Sequence, residues 1–75
     1  MISFRILDNK TGDVFEVRRV SFGYIPTVIK SGDDKFSAID EKFNTFTGPY
    51  FVAGCATKDF TTARIRLIDY IKMTT

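Results

Sequence analysis

The chain has 75 residues, of which 44% are hydrophobic and 27% are charged, and its formal net charge is +2. This length accommodates one domain, and the composition excludes wholesale disorder and a strongly basic or acidic tail. Because histidine is absent and cysteine occurs once, serine–histidine and cysteine–histidine nucleophiles, an internal disulfide and a cysteine-rich metal site are excluded. We therefore expect a single domain over residues 1–75 that is not an enzyme and binds no cofactor or metal.

The N-terminal segment predicts a β-hairpin. Apolar and polar residues alternate over 2–7, Gly12 follows in a polar turn and favours a left-handed conformation, and 14–20 is typical of the returning strand. With Asp8 opposite Asp13, the apolar residues share one face and opposite charges face each other, whereas a slip of one residue breaks both matches. The expected pairs are Ile6 with Phe15, Phe4 with Val17, Arg5 with Glu16 and Ser3 with Arg18.

Residues 24–29 predict a third strand, entered through a bend at 21–23. The segment is apolar and rich in β-branched residues, and a Ser-Gly-Asp-Asp turn follows it. Pro26 has no amide hydrogen to give to a neighbouring strand. It therefore places this strand at an edge of the sheet or requires a bulge.

The middle of the chain is ambiguous, and its periodicity favours a short helix. Four large apolar residues recur three, four and three positions apart, which is the spacing of one helical face. They are Phe36, Ile39, Phe43 and Phe46. Gly48 and the proline after it would end this helix.

The C-terminal half completes the predicted fold. Residues 50–56 are apolar and aromatic, which favours a central strand buried on both faces. Over 60–73 one apolar stripe at helical spacing predicts a helix, although alternating residues at 63–67 leave a strand as the alternative. The stripe consists of Phe60, Ala63, Leu67, Tyr70 and Ile71. Together these elements predict a small two-layer α+β domain, an antiparallel sheet of three or four strands with the C-terminal helix on one face.

Two features could serve an enzyme, and each has a simpler interpretation. Cys55 lies in an apolar segment, where a thiol is usually inert packing. The acidic pairs at 33–34 and 40–41 could hold a hard cation such as Mg²⁺, but adjacent acids in a turn or on a helix exterior are more often solvated. No glycine-rich phosphate loop is present.

Exposed aromatic and arginine side chains favour binding to another macromolecule. On the predicted helix Arg64 falls inside the apolar stripe, and Ile65 falls on the solvent side, which indicates a contact surface. Small proteins of this make-up, phage-encoded inhibitors and adaptors among them, commonly act by binding. We expect a protein partner, and self-association through the Pro26 edge or the last helix. The candidate partner-binding residues are Phe22, Tyr24, Phe46, Tyr50, Arg64 and Ile65.

A nucleic-acid-binding module is the alternative interpretation. Arginines and aromatics on one sheet face are how several small modules hold single-stranded nucleic acid. The candidate residues are Arg5, Arg18, Arg19, Phe22 and Tyr24. The simpler interpretation pairs Arg5 with Glu16 and leaves the rings in the core.

The N-terminal apolar stretch is interrupted by charge and no apolar run would span a bilayer, so we expect a cytoplasmic protein.

Overall fold

The computed structural model describes residues 1–47 and 53–74. Its elements in chain order are β1 (Ile2–Leu7), β2 (Val14–Val20), β3 (Gly23–Ile29), β4 (Ser37–Ile39), β5 (Thr45–Thr47), a 3-10 helix (Ala53–Cys55) and α1 (Phe60–Thr74). The five strands form one antiparallel sheet in chain order, and α1 packs on one of its faces. The predicted two-layer α+β architecture is confirmed, and the sheet is one strand wider than expected.

The β1–β2 hairpin has the predicted register over most of its length. Arg5 lies opposite Glu16, and the apolar pairs on the other face are also those expected. Gly12 adopts the predicted left-handed conformation, with φ of 80°. The expected pairing of Ser3 with Arg18 is wrong, because a bulge between Ile2 and Phe4 places Ile2 opposite Arg18.

Pro26 lies in the central strand of the sheet, so the prediction of an edge strand or a bulge is wrong. The Tyr24 amide donates to the Thr57 carbonyl on the side of β3 away from β2. Alternate residues direct their backbone groups to the same side, so the nitrogen of Pro26 also points away from β2. On that side the ladder with β4 comprises the pairs made by Thr27 and Val28 and stops next to the proline. The missing amide therefore costs no bond to β2.

The helix predicted over 36–46 is also wrong, because this segment forms the β4–β5 hairpin. The Asp40 carboxylate accepts hydrogen bonds from the amides of Lys42 (2.9 Å) and Asn44 (2.8 Å), which stabilises a tight loop between the strands. Phe43 in that loop adopts φ of 64°, a conformation that ends any helix. The Phe43 ring still packs against the apolar residues that are buried between the sheet and α1.

The predicted strand at 50–56 is wrong where it can be compared. Ala53–Cys55 forms a 3-10 helix, and residues 50–52 lie outside the described residues. The C-terminal helix is confirmed and the alternative strand there is wrong. Asp59 caps α1, since its carboxylate accepts hydrogen bonds from the amide (3.3 Å) and hydroxyl (2.7 Å) of Thr62.

The two faces of the sheet differ in what covers them. On the helix-side face, side chains of the strands pack against the predicted stripe of α1. This core contains Phe15, Val17, Val28, Ile39, Ala63, Leu67 and Tyr70. On the other face, here called the open face, Ile25 and Ala38 pack against Cys55 of the 3-10 helix. Among residues 1–47 and 53–74, no helix has the length and apolarity needed to cross a lipid bilayer.

Candidate functional site

The candidate site is a cleft of about 340 Å³ at the end of the sheet where β2 turns into β3. The turn and the segment before α1 form its walls. The cleft, here called the β2–β3 cleft, is lined by Arg19, Val20, Ser21, Phe22, Gly23, Tyr24 and Lys58. Three of these, Arg19, Phe22 and Tyr24, were candidates from the sequence.

Thr57 holds the two walls of the cleft together. Its backbone pairs with that of Tyr24 through two hydrogen bonds of 2.8 Å, one in each direction. The Thr57 hydroxyl lies 3.3 Å from the Tyr24 carbonyl and 2.9 Å from the Asp59 carbonyl. This bridge fixes the position of Lys58, the next residue, beside the β2–β3 turn.

Gly23 is required for this close approach. Its φ is 143°, which other residues rarely adopt, and a Cβ atom at this position would lie 2.2 Å from the Thr57 carbonyl oxygen. A larger residue would push the two walls apart. The glycine of the Ser-Phe-Gly turn therefore allows the bend and also leaves room for the Thr57 carbonyl group.

The aromatic wall of the cleft is fixed by packing. The Tyr24 ring packs edge-on against Phe60 at the start of α1, with ring centroids 5.8 Å apart, and Phe60 contacts Phe4 in the same way at 6.2 Å. Arg19 lies directly opposite Tyr24 on the helix-side face. Because Tyr24 directs its backbone bonds to Thr57, this is a non-hydrogen-bonded pair, in which the side chains lie closer together.

Two positive charges in the cleft have no ion-pair partner in the part of the chain that the structure describes. Within the described residues, the side chains of Arg19 and Lys58 form no ion pair, whereas the ion pairs that do occur involve Glu16 and Asp13 elsewhere. The cleft lining contains no acidic residue. Phe22, at the tip of the turn, is 51% exposed. The site therefore combines an unneutralised pair of cations with an exposed ring.

The remaining arginines proposed for nucleic acid lie on the open face. Arg18 donates to buried Glu16 at 2.8 Å and stacks on the ring of Phe36 at 4.2 Å. Arg5 lies 3.8 Å from the same carboxylate. The structure therefore divides the proposed set, because Arg5 and Arg18 lie on the face opposite Arg19 and Tyr24. The expected pairing of Arg5 with Glu16 is present.

The described residues proposed for a protein partner lie in three parts of the fold, which are the β2–β3 cleft, α1 and β5. Phe22 and Tyr24 border the cleft, whereas Arg64 and Ile65 are exposed on α1 and Phe46 is exposed on β5. The pairing of Phe46 with Ala38 places its ring on the open face, away from α1. Tyr50 lies outside the described residues. Arg64 forms no ion pair within the described residues and extends into solvent.

The side chains of Cys55 and Asp40, which were considered for catalysis, have roles in the fold itself. Cys55 is fully buried, and burial raises the pKa of its thiol, so the reactive thiolate is disfavoured at neutral pH. The Asp40 carboxylate is used by the β4–β5 loop. In the part of the chain that the structure describes, no three histidine, cysteine or acidic side chains form a group suited to a metal ion.

Sequence reasoning missed Lys58. Its place in the cleft depends on the bridge between Thr57 and Tyr24, which are 33 positions apart. No local pattern around Lys58 indicates that contact.

Comparison of the chain with protein-family models, curated proteins and solved structures finds no match.

Proposed function

We propose that this chain is a non-enzymatic interaction protein that binds a protein partner through the β2–β3 cleft and acts as an inhibitor or adaptor. The observation that carries the proposal is the pair of unneutralised cations beside the exposed ring of Phe22. Arginine and aromatic side chains are the residues that most often dominate the binding energy of protein interfaces. The proposed setting is the cytoplasm, where a single thiol stays reduced.

Exposed apolar side chains at the same end of the sheet as the cleft support a protein partner. Met1 is 83% exposed and Ile2 is 48% exposed, and the carbonyl of Met1 accepts a hydrogen bond from the Arg19 amide. These side chains and Phe22 therefore lie at the same end of the sheet. A basic cleft with exposed apolar side chains at the same end of the sheet matches a partner that presents an acidic group among apolar ones.

The test is capture of a partner by the full chain, followed by mapping with variants. Tagged protein is incubated with an extract of its native cell, and bound protein is identified by mass spectrometry and then produced in pure form. We expect Phe22→Ala and Arg19→Glu each to weaken the affinity for the purified partner at least about tenfold. Arg64→Glu, which makes the same charge change on α1, is the control and should change the affinity less than about twofold.

A different ranking of these variants would contradict the proposed site. If Arg64→Glu and Ile65→Ala abolish binding while the cleft variants bind normally, the partner uses the exposed face of α1. If the purified chain turns over a substrate, the non-enzymatic proposal fails.

A nucleic-acid-binding function is the second candidate, and the same cleft is the observation that favours it. Arg19, Lys58, Phe22 and Tyr24 combine cations with rings, as sites for single-stranded nucleic acid do. Such binding should weaken steeply as salt is raised, because phosphate contacts release counterions. Absence of binding to a single-stranded oligonucleotide at low salt would remove this candidate.

A further inference from the structure

We infer that the β2–β3 cleft binds a short acidic peptide segment in which an aspartate or glutamate lies next to a large apolar residue. This inference rests on the proposed function and specifies the chemistry of the partner at that site. It concerns the ligand class alone, so the protein can have a protein partner even if this ligand class is wrong.

The charges of the cleft select an anion. Arg19 and Lys58 are the cationic side chains in its lining, and both are free of ion pairs within the described residues. A guanidinium group can donate two parallel hydrogen bonds to one carboxylate, and a nearby ammonium group adds a third donor. A partner carboxylate would therefore neutralise charges that form no ion pair with the described residues.

The aromatic rings of the cleft favour a ligand in which an apolar side chain lies next to the carboxylate. Phe22 is half exposed at the tip of the turn, whereas Tyr24 is held in place by Phe60. A side chain of the partner can cover the Phe22 ring, whereas the Tyr24 ring forms a fixed wall of the cleft. Covering Phe22 removes apolar surface from water, which favours binding at a cost of little conformational entropy.

The distribution of the basic residues favours a peptide over a nucleic-acid strand. The cleft, of about 340 Å³, is open to solvent and contains two cationic side chains, Arg19 and Lys58, in its lining. Proteins that bind a single strand instead follow several nucleotides along a basic groove. Such a groove cannot continue through Arg18, because its guanidinium is bound to Glu16 on the opposite face.

The experiment is a titration of isotope-labelled full chain with a synthetic peptide, followed by amide chemical shifts. The probe is an acetylated and amidated hexapeptide in which glutamate and phenylalanine alternate, and the matched peptide has glutamine in place of glutamate. We expect saturable shifts at Arg19, Phe22 and Lys58 with the acidic peptide. The glutamine peptide should bind at least about tenfold more weakly, since it lacks the charge-assisted hydrogen bonds.

Variants test whether the cleft is the binding site. Arg19→Glu and Lys58→Glu should each weaken the acidic peptide at least about tenfold, whereas Lys10→Glu, in the β1–β2 turn at the other end of the sheet, should change its affinity less than about twofold. All three residues are exposed, so each variant should keep the dispersed amide spectrum of the folded chain. A variant that loses this dispersion is replaced by Arg19→Gln or Lys58→Gln, with an expected weakening in the same direction.

Three outcomes would overturn the inference. The first is absence of saturable shifts with millimolar acidic peptide, and the second is equal binding of the glutamine peptide. The third is tighter binding of a ten-nucleotide oligothymidine at the same amides, which would support nucleic acid instead. If the acidic peptide fails while the captured protein partner still depends on Phe22, the proposed function stands and only the ligand class is wrong.

Discussion

At the scale of single residues, Gly23 links the fold to the cleft. In a Gly23→Ala variant the added methyl group would overlap the Thr57 carbonyl oxygen, and alanine would have to adopt a φ of 143°. We expect the free energy of unfolding to fall by at least about 2 kcal/mol. Urea denaturation measures this loss, and hydrogen exchange of the Thr57 amide should accelerate because its bridge to Tyr24 is broken.

Gly54→Ala is the matched control for that variant. Among residues 1–47 and 53–74, nothing lies within 4 Å of a Cβ atom built on Gly54, and its φ is outside the left-handed region. Its stability should stay within about 0.5 kcal/mol of the original, or rise slightly. Equal losses in the two variants would show that the Gly23 contact is not specific.

Glu16 is the residue on which the polar part of the open face depends. It is 3% exposed and pairs with Arg18, whose side chain is 24% exposed. Glu16→Gln keeps the shape but leaves a mostly buried guanidinium without a counter-ion, so we expect a loss of about 2 kcal/mol in the free energy of unfolding. Thermal and urea unfolding of the variant measure this loss.

Arg5→Gln provides the comparison, because it removes the other cation beside Glu16. The Arg5 side chain is 62% exposed and lies 3.8 Å from the carboxylate, so solvent screens the pair. The expected change is less than about 0.5 kcal/mol. A larger loss for Arg5→Gln than for Glu16→Gln would refute this assignment of roles.

At the scale of secondary-structure elements, α1 stabilises the domain through one face. Leu67 is fully buried against the sheet, whereas Ile65, two positions earlier, is 52% exposed. Leu67→Ala should lower the free energy of unfolding by about 2–4 kcal/mol, since it removes buried apolar surface and leaves a cavity. Ile65→Ala should cost less than about 0.5 kcal/mol. Denaturant titration of both variants compares the two faces directly.

The elements that depend on local pattern could be predicted from the sequence. The β1–β2 hairpin has alternation, a turn glycine and complementary cross-strand pairs, so one register satisfies all of them. The stripe on α1 is long enough to outweigh the competing alternation at 63–67. The β4–β5 hairpin was mistaken for a helix because of its loop length. A loop of five residues separates Ile39 from Thr45, so the apolar residues of the hairpin are spaced along the sequence as they would be on one helical face.

The elements that depend on distant contacts could not be predicted. Pro26 is accommodated in a central strand because its nitrogen points away from β2 and the ladder with β4 stops at Thr27. Lys58 reaches the cleft because Thr57, far along the chain, pairs with Tyr24. A single sequence carries no signal for a lone bridge of this kind, whereas regular pairing repeats over many residues.

At the scale of the whole molecule, β1 is the longer of the two edge strands of the described sheet, and two copies could pair there. Within the described residues β1 has a neighbour on one side, and this side is β2. The Asp8 amide bonds toward β2, so by alternation the backbone groups of Arg5 and Leu7 point outward, where no described strand pairs with them. Such an edge is a template for association, and natural proteins protect it with charges and bulges.

Both protective devices are present on β1, and Arg5→Val removes one of them. Arg5 is the charged residue within Ile2–Leu7, and a bulge lies between Ile2 and Phe4. We expect Arg5→Val to increase association of the chain as its concentration is raised, measured by sedimentation velocity. Arg64→Val is the control, because it adds the same side chain to α1, where backbone groups inside the helix are already bonded. Equal association of the two variants would show that added apolar surface, and not the open edge of β1, drives self-association.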